Sequence, residues 1–105
     1  MAKIGKNSSE KVIQIDLTNI ITDPDLDGKR TRLDGINKVI GNLFFNQGSI
    51  PVHDKGKELY YNGNTSVSLQ ELQEMVFIVA KNPISSAHYH NAVNNYFQNK
   101  LKENG

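Results

Sequence analysis

The sequence predicts an α+β domain: an N-terminal β-hairpin, a helix, a small second hairpin and a C-terminal helical hairpin. Three observations predict it. Ile13, Ile15 and Leu17 alternate with Gln14 and Asp16, the period of a half-buried strand. Ile36, Val39, Ile40, Leu43 and Phe44 recur at the spacing of one helix face. Two more stripes of helical period fill the C-terminal third. At 105 residues the chain has the length of one domain. The expected division is a flexible tail over 1–10 and a single α+β domain over 11–105.

The tail is expected because Ile4 is its one large aliphatic among Gly5, Asn7, Ser8 and Ser9. Residues 11–17 are rich in β-branched side chains, which suits a strand. A helix is the alternative, since Ile13, Leu17, Ile20 and Ile21 also share a helical face, but it strands Ile15. Residues 22–35 are dense in turn formers. Pro24 pushes Asp23 out of the α region, and Asp27-Gly28 is a hairpin-turn dipeptide. Lys29 to Leu33 is then the returning strand.

Residues 34–46 form the clearest helix, with Asp34 as its N-cap. Gly41 inside it costs ~1 kcal/mol against Ala, and a closely approaching helix would account for it. Over 49–67, Ile50-Pro51-Val52-His53 and Glu58 to Tyr61 flank Asp54-Lys55-Gly56 as a hairpin, Pro51 marking an edge strand. Asn62-Gly63 is a further turn. Ser68 with Glu71 is a capping box for a helix over 68–82. Its stripe is Leu69, Leu72, Val76, Val79 and Ala80, with Met75 beside it, and Asn82-Pro83 stops it. The last helix, 86–101, is capped by Ser85 or Ser86 and buries Tyr89, Val93, Tyr96, Phe97 and Leu101. No internal repeat is read.

Composition excludes several function classes. Twelve Lys and Arg against eleven Asp and Glu leave a net charge of +1, too little for polyanion binding by bulk charge. The absence of Cys excludes disulfides, thiolate zinc sites, iron–sulfur clusters and a Cys nucleophile. No apolar run approaches ~18 residues, so no membrane span is expected. Met1 to Glu10 lacks the apolar stretch of a signal peptide, and a cytoplasmic location is expected.

The strongest literal motif is Asp23 to Asp34, DPDLDGKRTRLD. Asp23, Asp25 and Asp27 fall at the first, third and fifth ligand positions of an EF-hand loop, Gly28 at its sharp turn, Thr31 and Asp34 at later positions. Calcium needs hard oxygens converging from one loop, and this spacing can supply them. Against it stand Asp at the closing position in place of Glu, the charges of Lys29, Arg30 and Arg32, the lack of a second loop, and an entering segment that reads as strand. The competing reading, a hairpin turn rich in Asp, is preferred. No cofactor is expected, Ca2+ at this loop being the one exception the spacing allows.

His88 and His90 lie two apart on a helix and face different ways, so they do not chelate one metal together; His53 with Asp54 could join one of them in space, but such residues are more often plain surface or partly buried polar groups. No nucleophile elbow, P-loop or dinucleotide fingerprint occurs, and no enzyme is expected. Lys29, Arg30 and Arg32 cluster, with Lys38 nearby, as a conceivable phosphate contact, but without interleaved aromatics. Phe45, Tyr60 and Tyr61 are the aromatics least used by the expected core; exposed aromatics of this kind can anchor a protein partner, and they can equally pack under the loop at 49–66.

The order KVIQIDLT (11–18), ITD (21–23), DLDGK (25–29), INKVIGNLFF (36–45) and SLQELQEM (68–75) resembles small phage and prophage proteins encoded near virion-morphogenesis or tail genes. The specific part covers residues 11 to 46. This chain departs from that pattern by the stretch Ile50 to Val67. The resemblance implies a hairpin turn at the Asp-Gly segment and a non-enzymatic protein acting by protein–protein contact or self-association, in a bacterial host cytoplasm. A calcium-binding module and a nucleic-acid accessory protein are the alternatives.

Overall fold

β1 (Ile13–Asp16) buries Ile13 and Ile15 and leaves Gln14 and Asp16 in solvent, as the alternation predicts. The computed structural model describes residues 12–84 and 86–105, so the expected tail over 1–10 lies outside the described residues. The chain is an α+β fold: among the described residues it forms a two-stranded antiparallel sheet and four helices, in the order β1, α1 (Ile36–Gln47), α2 (Ile50–Asn62), β2 (Asn64–Val67), α3 (Leu69–Lys81) and α4 (Ala87–Asn104). One cluster of buried residues runs from Ile13 to Phe97, with Phe44 and Phe97 edge to face at 5.7 Å near its centre.

The partner of β1 is not the segment 29–33. β1 pairs with β2, Ile13 opposite Val67 and Ile15 opposite Thr65. Residues 20–33 close a separate loop through Thr22 N–H to Thr31 O and Leu33 N–H to Ile20 O, both 2.9 Å. The Asp27-Gly28 turn exists, with Gly28 at φ +81, but its arms are short. β2 escaped the sequence reading because its four residues, NTSV, carry one aliphatic side chain.

The second hairpin over 50–67 is replaced by α2 and β2. Pro51 lies in the first turn of α2, where its missing N–H has no intrahelical partner to lose. Gly63 (φ +83) ends α2 in the left-handed conformation, its N–H donating to Leu59 O at 2.9 Å. α2 buries only Val52, Gly56 and Leu59, so it shows no broad apolar stripe.

Gly56 is where α2 meets α1. A Cβ on Gly41 would stand 2.7 Å from the Gly56 carbonyl oxygen, and one on Gly56 the same distance from the Gly41 carbonyl oxygen. The two backbones touch. The close neighbour that Gly41 implied is therefore α2. Asn37 of α1 ties the far end by donating to the Leu59 and Tyr60 carbonyls at 3.0 and 3.2 Å.

Three further details differ from expectation. Gly35, at φ 81, caps α1 in place of Asp34, whose carboxylate accepts from Arg32 Nε at 3.0 Å. α3 has its capping box, yet Met75 and Ile78 are buried and Ala80 is exposed. Ser86 caps α4, accepting from Tyr89 N–H, while Ser85 lies outside the described residues. On α4, Val93 and Phe97 are buried but Tyr89 is exposed.

Replacing Gly41 or Gly56 with Ala sets ~1 kcal/mol of helix propensity against a backbone clash that neither helix can relieve without separating. The clash wins: each variant should lose about 2–3 kcal/mol of stability in urea unfolding, against about 1 kcal/mol for Gly28→Ala at an open left-handed turn. Equal losses at all three positions would refute the backbone contact.

Candidate functional site

The glycine contact determines what flanks it. In α1, Gly41 is followed by buried Phe44 and exposed Phe45; in α2, Gly56 is followed by buried Leu59 and exposed Tyr60, at the same spacings. With the backbones touching, no ring fits between them. Phe45 and Tyr60 therefore stand on the outer side, over a groove of about 190 Å³. Gly41 and Gly56 line its floor, Phe45, Tyr60 and Tyr61 its walls, and Asn42 and Lys57 its polar rim.

The walls are braced. Phe45 stacks on His53 at 4.2 Å, and His53 Nδ1 donates to the Phe45 carbonyl at 2.7 Å, near the C-terminus of α1. That bond assigns the tautomer. Tyr60 and Tyr61 meet edge to face at 5.1 Å, and Lys38 Nζ lies 5.7 Å from the Tyr60 ring centre. Exposure rises from 37% at Tyr60 and 42% at Phe45 to 79% at Tyr61. The turn between α1 and α2 is held from α3, since Ser49 N–H and Oγ donate to the two oxygens of Glu74 at 2.6 and 2.7 Å. The three aromatics singled out from sequence thus line one groove. Gly56 was missed as a helix position, although Gly56 to Tyr60 repeats the spacing of Gly41 to Phe45.

The Asp-rich loop is built differently. Asp25 Oδ1 accepts from Asp27 N–H and Lys29 N–H at 2.8 and 2.9 Å, and Gly28 N–H donates to the Asp25 carbonyl. One proposed calcium ligand is thereby turned inward to hold the backbone. Asp34 is taken by Arg32, and the Thr31 carbonyl accepts from Thr22 N–H. Among the described residues no group of three or more His, Cys, Asp or Glu side chains is placed to hold a metal ion. Asp25 therefore closes an Asx-type turn, and Asp23, Asp27, Thr31 and Asp34 lie on the turn and its arms.

Lys29 and Arg30 are exposed on this loop, and Arg32 lines a cleft with Tyr89 while its Nε is committed to Asp34. The histidines are dispersed: His88 Nε2 bonds the Asp23 carbonyl at 3.0 Å, and His90 Nδ1 is buried without a partner.

The sheet edge at β1 is engaged. Asp16 N–H donates to the Tyr96 hydroxyl of α4 at 2.8 Å, so a second strand adding along β1 must displace it. The Asp16 carboxylate accepts from both N–H and Oγ1 of Thr18, and these bonds hold it below the usual carboxylate range. Burial pushes the Tyr96 hydroxyl above 10.0, so it stays neutral and available at physiological pH.

Among the described residues no helix is long and apolar enough to cross a membrane. The chain matches no protein-family model, no curated protein and no solved structure.

Asp25→Ala frees two backbone N–H groups and should cost about 1–2 kcal/mol, by the same amount with or without millimolar calcium. A calcium-dependent difference in melting temperature between Asp25→Ala and the parent chain would restore the metal reading. Tyr96→Phe should cost about 1 kcal/mol and speed amide exchange at Asp16. The raised Tyr96 value contributes stability that is complete below pH 10.0 and lost as pH climbs through the higher folded value, so Tyr96→Phe should flatten the alkaline limb of a stability–pH curve.

Proposed function

We propose that this chain is a non-enzymatic binding module that works by protein–protein contact through the groove between α1 and α2. The observation that carries this reading is the convergence of Phe45, Tyr60 and Tyr61 over a floor of touching backbone. Exposed rings ordinarily spend entropy when they are fixed by a partner; here stacking on His53 and the tyrosine pair have already ordered them. Aromatic side chains on a rigid base are the residues that dominate binding energy at interfaces. The phage- or mobile-element-type origin that residues 11 to 46 suggest agrees with such a role, and would set it in a bacterial host cytoplasm.

The alternatives draw less support. One oxygen that the calcium reading needs, Asp25 Oδ1, accepts two N–H bonds from the loop's own backbone. A nucleic-acid role needs phosphate-facing cations, and Arg32 is already paired.

A photo-crosslinking phenylalanine analogue at Tyr61 tests the proposal. Protein adducts should form there and not from the same analogue at Gln98, exposed on α4. Tyr61→Ala should change stability by less than ~0.5 kcal/mol, so a lost contact would not be lost folding. Adducts that are no more frequent at Tyr61 than at Gln98 would end the groove reading.

A further inference from the structure

The apex of the Ile20–Leu33 loop carries Leu26, whose side chain is as exposed as in an unfolded chain, at 106%. A lone exposed leucine needs no explanation by itself. This one sits on a rigid turn, pinned by the two N–H bonds to Asp25 Oδ1 and by Gly28 at φ +81. Acidic residues surround it in sequence: Asp23, Asp25 and Asp27.

The groove between α1 and α2 has room for it and lysines to face its acidic neighbours. An apolar cavity of ~150 Å³ accepts a benzene ring, so 190 Å³ accepts a leucine side chain. Lys57 lines the groove, Lys38 stands against Tyr60, and among the described residues no acidic side chain lines it. Asp54, exposed one turn before Lys57 on α2, offers a counter-charge to Lys29 and Arg30 of the apex. No residue of the Ile20–Leu33 loop lines the groove of its own chain, so the groove that Leu26 enters is that of another copy.

We propose that the chain assembles head to tail, Leu26 of one copy entering the aromatic groove of the next, with Asp23 and Asp27 facing Lys57 and Lys38. The proposal rests on the groove being the interaction surface argued above, and it names the partner as a second copy. Apex and groove are different patches, so the contact is heterologous and builds a ring or an open chain rather than a two-fold dimer. A single knob covers far less than the ~800 Å² per partner of a stable complex, so the assembly is weak, reversible and driven by concentration. Its ion pairs lie at a solvated rim, so salt weakens it.

Sedimentation equilibrium of the full chain, taken to about 1 mM, tests it. The mass should rise with concentration beyond a dimer, and less so in high salt. Leu26→Asp and Lys57→Glu should each weaken association about tenfold or more, with unchanged melting curves because both positions are exposed. Mixing the two variants is the decisive step. The Lys57→Glu copy keeps an intact apex and the Leu26→Asp copy an intact groove, so the mixture should associate and stop at a dimer. A parent chain that stays monomeric at that concentration overturns the proposal. So does association that ignores Leu26→Asp, or variants that stay apart when mixed. If the chain is monomeric yet crosslinks to another protein from Tyr61, self-assembly fails while the groove stands. If Tyr61 yields no adducts at all, both fail.

Discussion

Two glycines in backbone contact govern the architecture of this chain. Gly41 and Gly56 let α1 and α2 approach until a Cβ on either would stand 2.7 Å from the other's carbonyl oxygen. Glycine inside a helix is destabilising by itself, so the contact must return more than it loses in propensity. It returns proximity. At that separation the Asn37 amide reaches across to the last carbonyls of α2, and His53 reaches back to the Phe45 carbonyl near the end of α1. Each helix thereby helps satisfy the polar groups that the other leaves open. The same proximity expels Phe45 and Tyr60 from between the helices. Their exposure is a consequence of the packing, and the groove follows from it.

What the sequence made legible follows from how much each element buries. β1 has three inward residues at period two, counting Leu17 just beyond it, and α1 and α3 each bury a column of aliphatic side chains. Burial on that scale leaves a periodic trace. α2 buries Val52, Gly56 and Leu59 alone, and a glycine leaves no apolar trace at all. Its Pro51 and Gly56 are also the residues that punctuate turns. A proline in the first turn of a helix and a glycine at a helix crossing use the same two residue types for opposite ends. What separates the readings is the second copy of the glycine-to-aromatic spacing, Gly56 to Tyr60 against Gly41 to Phe45. β2 was illegible for a different reason: its partner is distant in sequence, and four residues carry little pattern.

The Asp-rich loop shows why spacing alone leaves its chemistry open. Alternate carboxylates and a glycine suit a cation because oxygens converge. They suit a tight turn because a short carboxylate can accept from the backbone ahead of it. The spacing is common to both, and only the direction of the oxygens differs. Asp25 points at the N–H groups of Asp27 and Lys29, which spends its acceptor capacity locally. The entering segment is extended, with Ile21 bridged to Arg32 across the loop, so the helix that positions an EF-hand loop is missing on that side.

Apex and groove share one property that bears on association. Each owes its shape to backbone constraints rather than to mobile side chains: a left-handed glycine and an Asx turn in one, a helix crossing in the other. Surfaces fixed in this way lose little conformational freedom when they meet, so a small contact yields more net affinity than the same area on mobile loops. The charges then act on orientation. Each surface carries both signs, Lys29 and Arg30 beyond the acidic residues of the apex and Asp54 beside Lys57 of the groove, so the charges select a register. In the proposed head-to-tail contact Asp23 and Asp27 meet Lys57 and Lys38 while Asp54 meets Lys29 and Arg30, so the charges bear on the polarity of that assembly more than on its strength.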